Sequence, residues 1–336
     1  MCAIGLMAAS GCGVTADDAA ATVGNATVST ATVDDLAGDA AFVGAVLQGA
    51  APATNDGVLP GDTARTTLSF EIQRTALLQE IDRWGLQVTD GDRSEARSRI
   101  DEQVPGLSKK NRDRLVEYVV ATSVLEERLG EIDVESDADL RLLYDGAPGL
   151  WDQVCLTAVQ IPSRRAAERA ARAALDGGTS LADLADEVDD AQLAAEPSQG
   201  CIARTQLPPA IRTDAEAAAT KEVRGPIVVE GAQGNVAYFY RVESTKRLSF
   251  AQARDDLASL ADALQQRAQQ QAAAQLWLSL ILQQGVTINP RYGSELVVAA
   301  QGQLEVTPPQ APAGAFPVVT VPQPDSADAP RTQTSP

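Results

Sequence analysis

The sequence predicts an α+β protein in which a mostly helical part surrounds a smaller unit of strands and short helices. Three observations carry this. Aromatic residues supply only 4% of the chain against 44% apolar residues in all, so alanine and leucine do most of the packing, which favours helices. Apolar positions recur at helical spacing over long windows, as at Leu68, Ile72, Leu78, Ile81 and Trp84. Between Val154 and Val242 the period changes: an apolar run, two short helical stretches and a final β-rich run follow one another within a single small unit.

The elements are read in order. Thr22 to Val28 alternates around Gly24-Asn25, a tight hairpin. Thr32-Val33-Asp34-Asp35 has capping character and opens a helix reaching Leu47. Gly49 to Gly61 reads as a loop, and Asp62 caps a helix that Gly85 stops. A short helix follows Gly85-Leu86-Gln87-Val88-Thr89-Asp90, Pro105-Gly106 breaks the chain, and Lys109 to Leu129 is a longer helix. Val134 to Tyr144 is the last helix before the central unit. There, Val154 to Ile161 reads as strand, Ala166 to Leu175 as a helix stopped by Gly177-Gly178, Leu181 to Val188 as a second helix, and Val236 to Val242 as strand. Ser249-Phe250-Ala251-Gln252 is a capping box that starts an uninterrupted helix to Gln284, a rod of roughly 54 Å at the usual rise. Its last turns, Leu276 to Leu282, are apolar nearly all round and need burial against the first part of the chain. Val286 to Gly293 is a short strand and turn. From Thr307 onward the composition is Pro/Thr/Ala/Gln with little to bury.

At 336 residues the chain has room for two or three domains. A net charge of −19 argues against nucleic-acid binding, because a phosphate backbone demands a basic face. The absence of histidine excludes histidine triads and histidine metal sites. No Gly-rich phosphate loop occurs, and Asp189-Asp190 read first as solvated loop carboxylates. No metal and no cofactor is expected.

Ala3 to Ala9 is a short apolar core, too short to span a bilayer, and it ends in Ala9-Ser10-Gly11-Cys12. This resembles a bacterial lipobox, in which cleavage before the cysteine precedes its acylation. No Lys or Arg precedes Arg65, so a signal's charged region is missing and the start reads as truncated. The expectation is lipid attachment at Cys12, a flexible Ala/Asp tether behind it, and an extracytoplasmic protein anchored to the bacterial cell membrane.

Three stretches of the central unit resemble a parvulin-type (rotamase) peptidyl-prolyl isomerase: Cys155-Leu156-Thr157-Ala158-Val159-Gln160-Ile161, Leu181-Ala182-Asp183-Leu184-Ala185 and Glu222-Val223-x-x-Pro226-Ile227. The hairpin, the Gly-Leu-x-Val-Thr-Asp phrase, the acidic helix ending in Tyr144 and Val286-x-Ile288-Asn289-Pro290-Arg291-Tyr292-Gly293 resemble SurA- and PrsA-type extracytoplasmic chaperones. The resemblance implies residues 1–11 as signal peptide, 12–20 as tether and 21–150 as a helical SurA-N-like domain. It places an inserted parvulin-like domain at 151–246, a long C-terminal helix and short strand packing on the first domain at 247–296, and a disordered tail at 306–336.

By the same resemblance the isomerase pocket falls on Leu207 and Ile211 as apolar cup. Ala158 stands where the first pocket histidine is, a position within one or two residues of Tyr238 stands where the second is, and Asp189 or Asp190 takes the acidic position. Leu207 and Ile211 read equally well as plain core. Cys2 falls in the signal, which leaves Cys155 and Cys201 as an even pair, a disulfide rather than a metal site. Parvulin-type folds also bring their two positions together. The function implied is a chaperone or foldase holding unfolded exported chains with a degenerate isomerase domain; the alternative is an active isomerase with a histidine-free pocket. Nucleic acid is not an expected partner.

Overall fold

A computed structural model describes residues 18–46, 60–162, 165–195, 201–217, 221–231, 234–282, 285–298 and 303–309. Cys12 and the expected signal lie outside them, as do residues 47–59 and most of the expected tether, but the tether's last residues, Ala19 and Ala20, belong to the first strand, with Ala20 fully buried.

The chain opens with a hairpin, β1 (Ala19–Val23) and β2 (Ala26–Ser29). Gly24 at its turn takes φ +54°, the left-handed region that a Gly-Asn turn supplies at little cost. Ser29 caps α1 (Thr30–Ala37) through the amide of Thr32, so the cap sits three residues earlier than the expected Thr32. The expected single helix to Leu47 is two, because Asp39 takes the free amides of Ala41 and Phe42 and starts α2 (Ala40–Val46). The long α3 (Gly61–Arg83) begins after Pro60 with no side-chain cap; Asp62 lies inside its first turn. Gly85 ends it at φ +64°. A Thr89/Asp92 capping box opens α4 (Asp90–Gln103), and Ser108 caps α5 (Lys109–Gly130). Ser136 caps α6 (Asp137–Gly146), and the single turn α7 (Pro148–Trp151) leads into the central strands.

Residues 152–247 bury two apolar clusters of their own on the two faces of one antiparallel sheet. Strand β3 (Asp152–Pro162) runs along β7 (Gly234–Arg247), with β6 (Val223–Gly231) outside β7 and β4 (Gln192–Ala195) and the short β5 (Ile202–Ala203) outside β3. The amphipathic α8 (Arg165–Asp176) and α9 (Leu181–Glu187) cover one face, burying Val159, Ile161, Ala171, Leu184 and Phe239. The other face is covered by the turn after β5 and by α10 (Pro209–Ala217), a helix the sequence reading did not contain. β6 bulges at Gly225-Pro226. A Cβ on Gly225 would stand 2.4 Å from the Tyr238 carbonyl oxygen, so the residue there has no room for a side chain.

The chain leaves and re-enters the helical part through one aromatic knot. Tyr144 stacks on Trp151 with centroids 5.8 Å apart and meets Phe250 edge-on. The Trp151 indole donates to the Tyr144 carbonyl, and the Leu248 amide donates to the Trp151 carbonyl.

The expected continuous helix after Ser249 is broken. Its first piece, α11 (Phe250–Ala268), packs on α5 and α6. Residues 269–272 leave the helix, with Gln271 at φ +56°, and α12 (Ala273–Ile281) starts afresh. The reason is tertiary. Both carboxylate oxygens of Glu126 on α5 accept from the Ala273 and Ala274 amides, at 2.8 and 2.7 Å. A new helix start held by a charged acceptor is a favourable place to break the rod.

Strand β8 (Val286–Ile288) then pairs with β1, completing the sheet β2-β1-β8. Two further short strands, β9 (Leu296–Val298) and β10 (Leu304–Val306), pair with each other, and β10 packs on α3. The expected tail therefore does not begin at 306: Val306 is buried, its amide bonds Ser69 Oγ, and the Thr307 amide bonds Glu295. Residues 310–336 lie outside the described part.

Candidate functional site

Four of the expected pocket residues fall in one apolar cluster. Ala158 on β3 is 5% exposed, and Leu207 and Ile211, at 5% and 3%, close over it from the turn and helix α10. Tyr238 on β7 is half-buried against the same cluster. Leu207 and Ile211 thus fill the space between α10 and the sheet beside Val154, Leu156 and Val242. Asp189 and Asp190 do not join them. Both are exposed in the turn between α9 and β4, and the residue before them, Val188, belongs to the cluster on the opposite face.

The residue directly across from Ala158 is Tyr240. It is fully buried, and its hydroxyl donates to the Asp214 carboxylate on α10. Burial raises its pKa well above the ordinary phenol value, and the bond to Asp214 adds to the rise. The phenol therefore stays neutral and serves as a fixed donor. Arg224 on β6 lies 3.7 Å from Asp214 and 3.5 Å from Glu222. Tyr238 points its hydroxyl along the sheet instead, donating to Gln160 Oε1 at 3.3 Å. Gln160 in turn donates to Gln192 Oε1 at 3.1 Å. Tyr238, near which the resemblance puts the second pocket histidine, is thus tied into a row of amides along the sheet.

On the other side of β3, Thr157 and Arg241 both donate to Glu243. Burial opposes its ionisation, but the Arg241 and Thr157 bonds outweigh that and hold the carboxyl below its ordinary range. Cys155 and Cys201 form a disulfide that ties β3 to the residue just before β5. It fixes the start of the segment that carries Leu207 and Ile211. Among the described residues no cluster of His, Cys, Asp or Glu could hold a metal ion. Nor is any described helix long and apolar enough to cross a membrane.

A second feature lies in the helical part: a cleft of about 710 Å³ between α3, α5, the start of α12 and β10. Phe70, Tyr118, Leu278, Leu304 and Val306 give it an apolar base. Gln73, Gln271, Gln275, Gln303, Thr66 and Thr122 line it with polar side chains, of which Thr66, Gln73 and Thr122 donate to carbonyls of their own helices, and Asp62, Arg65, Glu126 and Glu305 add charge. Phe70 and Tyr118 lie with ring centroids 4.9 Å apart, and burial raises the Tyr118 pKa above its ordinary value. The sequence reading did not join these residues into a site, because they come from separate parts of the chain.

No family model matches this chain, and no curated protein matches it. Solved structures do. The chain is similar to PrsA foldases and to SurA-like chaperones. The foldase protein PrsA of Lactococcus lactis is 17% identical, with 81% of this chain and 94% of that one covered, at a TM-score of 0.26. The peptidylprolyl isomerase PrsA of Bacillus anthracis is 13% identical over 63% of this chain and 95% of that one, also at 0.26. A SurA-like chaperone of Campylobacter jejuni is 12% identical over 81% and 98%, at 0.24. Scores and identities this low assign no activity to the present chain. The α+β architecture itself, mostly helical with antiparallel sheets, stands on the elements described above.

Proposed function

We propose that this chain is a lipid-anchored extracytoplasmic chaperone that holds unfolded exported polypeptides, and that its residues 151–246 are a parvulin-like domain with little or no isomerase activity. The cleft between α3, α5, α12 and β10 carries the reading. Glutamines and threonines around an aromatic base bond peptide groups without selecting side chains, which is what binding many unfolded chains requires. The central unit argues the other half. An isomerase needs an apolar cup open to a proline ring and a polar group beside the twisting amide. Here Ala158 offers no hydrogen-bonding side chain, and the Tyr240 hydroxyl on the residue opposite it is committed to Asp214. A disulfide and a chain without histidine fit an exported protein that works by binding rather than by acid–base chemistry.

The test pairs two assays on the full chain: suppression of aggregation of a chemically unfolded client, and a protease-free isomerisation measurement on a short X-Pro peptide. Suppression near one chaperone per client with no catalysed isomerisation is expected. Thr66→Trp and Gln303→Trp, both at exposed positions lining the cleft, should weaken suppression without loss of fold. Unchanged suppression in both variants would overturn the cleft. A robust catalysed rate that falls on Leu207→Ala and Ile211→Ala would establish the isomerase instead.

A further inference from the structure

The same cleft has a second occupant within reach. Pro308 lines it, so the chain beyond β10 departs from the cleft itself rather than from a distant surface. From there to Pro324 the sequence carries no charge and is punctuated by Pro309, Pro312, Pro317 and Pro322, with Phe316-Pro317-Val318-Val319 as its apolar centre. Proline pre-orders such a stretch in an extended form of ~3.1 Å per residue and lowers the entropy lost on binding. Pro308 to Phe316 then spans ~25 Å. The wall of α3 from Asp62 to Gln73 is shorter, about 17 Å at the helical rise. The length of the α3 wall is therefore within reach of Phe316.

We infer that the apolar centre of this stretch, Phe316-Pro317-Val318-Val319, occupies the cleft in cis, with Phe316 against Phe70 and Tyr118, and that a polypeptide client must displace it. The chemistry matches on both sides. Aromatic rings flanked by amide side chains are the common receptor for proline-rich extended segments, the rings taking the apolar side chain and the amides the exposed backbone carbonyls. Asp62, Glu126 and Glu305 line the cleft with one basic residue, Arg65, which pairs with Asp62, so the balance is acidic and disfavours an anionic segment. The first charge of the segment, Asp325, comes only after its apolar part has ended. Tethering supplies an effective concentration on the order of 1 mM. A segment with an intrinsic Kd near ~100 µM would thus fill the cleft most of the time and weaken any competitor ~10-fold. The inference deepens the reading of the cleft given above, but it concerns occupancy rather than holding.

Two measurements on the full chain test it. In the first, a benzophenone-bearing residue replaces Phe316 and the dilute protein is irradiated. Intramolecular adducts on Gln73, Tyr118, Thr122 or Gln275 are expected; adducts that are intermolecular, or that fall elsewhere in the chain, overturn the proposal. In the second, a synthetic peptide of residues 310–324 is titrated against the unaltered chain and against the Phe316→Asp, Val319→Asp variant. The variant should bind it ~10-fold more tightly, because its own segment no longer competes. Equal affinity, or binding to neither, overturns the proposal. Client holding can fail while the adducts still map to the cleft, and the adducts can miss the cleft while holding persists, so the two readings fall separately.

Discussion

Glu80 on α3 is 6% exposed and joins three elements. Its Oε2 accepts from the Trp84 indole at 3.0 Å and from the Trp277 indole of α12 at 2.7 Å, and Arg83 bridges both carboxylate oxygens. Arg83 also lies over both indole rings and donates to the Leu142 carbonyl on α6. Glu80→Ala strands two indole N–H groups, one of them on a fully buried ring. A stranded donor costs ~1–3 kcal/mol, and removing one partner of a buried ion pair costs ~3–5 kcal/mol. These costs overlap, and Arg83 is 27% exposed and can be rehydrated, so the helical part should lose ~2–4 kcal/mol, a large share of the ~5–15 kcal/mol that holds a domain together. Glu80→Gln keeps an acceptor for the indoles but sets an amide against Arg83, and should lose ~1–2 kcal/mol. Urea unfolding followed by tryptophan fluorescence reads the change directly, since Trp84 and Trp277 are two of the three tryptophans. A double-mutant cycle with Trp277→Phe should show a coupling above ~0.5 kcal/mol. A loss below ~1 kcal/mol for Glu80→Ala, or no coupling, would refute the reasoning.

Other perturbations follow from the same reading. Glu126→Ala should cost ~1–3 kcal/mol and speed amide exchange at Ala273 and Ala274 by at least tenfold, while leaving α11 unchanged; equal exchange in both proteins counts against the cap. Replacing both Cys155 and Cys201 by alanine should lower stability by about 4 kcal/mol, from a loop closed over a sequence separation of 46; two free thiols in the unfolded, unreduced protein lacking Cys2 and Cys12 would show the bridge does not form. Asp39 lies below its usual carboxylate range: burial opposes this, but Asn111 and the amides of Phe42, Ser108 and Ala41 outweigh it. Its contribution is complete above the unfolded value of 3.8 and is lost as pH falls through the lower folded value. Acid titrations should therefore show a flatter limb for Asp39→Asn below about pH 4, and superimposable limbs would contradict this. Cys12→Ser should abolish partitioning into detergent when the protein is made in a bacterium that processes lipoproteins, and equal partitioning would exclude the anchor.

Local chemistry was legible wherever one residue decides the backbone. Gly24-Asn25 announces the first hairpin, Gly85 the end of α3, and Ser249 with Gln252 the start of α11. Signals that depend on distant partners were not. The rod expected from Ser249 to Gln284 breaks because Glu126, far away in sequence, holds the amides of Ala273 and Ala274. Helix α10 hid behind Leu207-Pro208-Pro209, which reads as a breaker although proline is tolerated at a first helical position. In the candidate pocket, the resemblance pointed to Ala158, Leu207 and Ile211, and the structure puts them together. It could not reveal that Tyr240 faces Ala158 and donates to Asp214, because strand register and a partner 26 residues away settle that contact. Glu80 was invisible for the same reason: a glutamate on a helix reads as surface until two tryptophans are known to face it.

The pairing of β1 with β8 has a consequence for how this protein comes into being. Ala21 lies opposite Ile288, so β1 lacks one neighbour until nearly the whole described chain has been made. At ~5–20 residues per second that wait lasts tens of seconds. During it the sheet β3-β7-β6 can close unaided, since its strands all come from residues 152–247. The helical part cannot: α11, α12, β8 and β10, which bury the apolar faces of α3, α5 and β1, arrive only after that sheet. A chain truncated after Arg247 and released should thus carry a finished central unit on an unfinished, sticky helical one, and would itself need to be held.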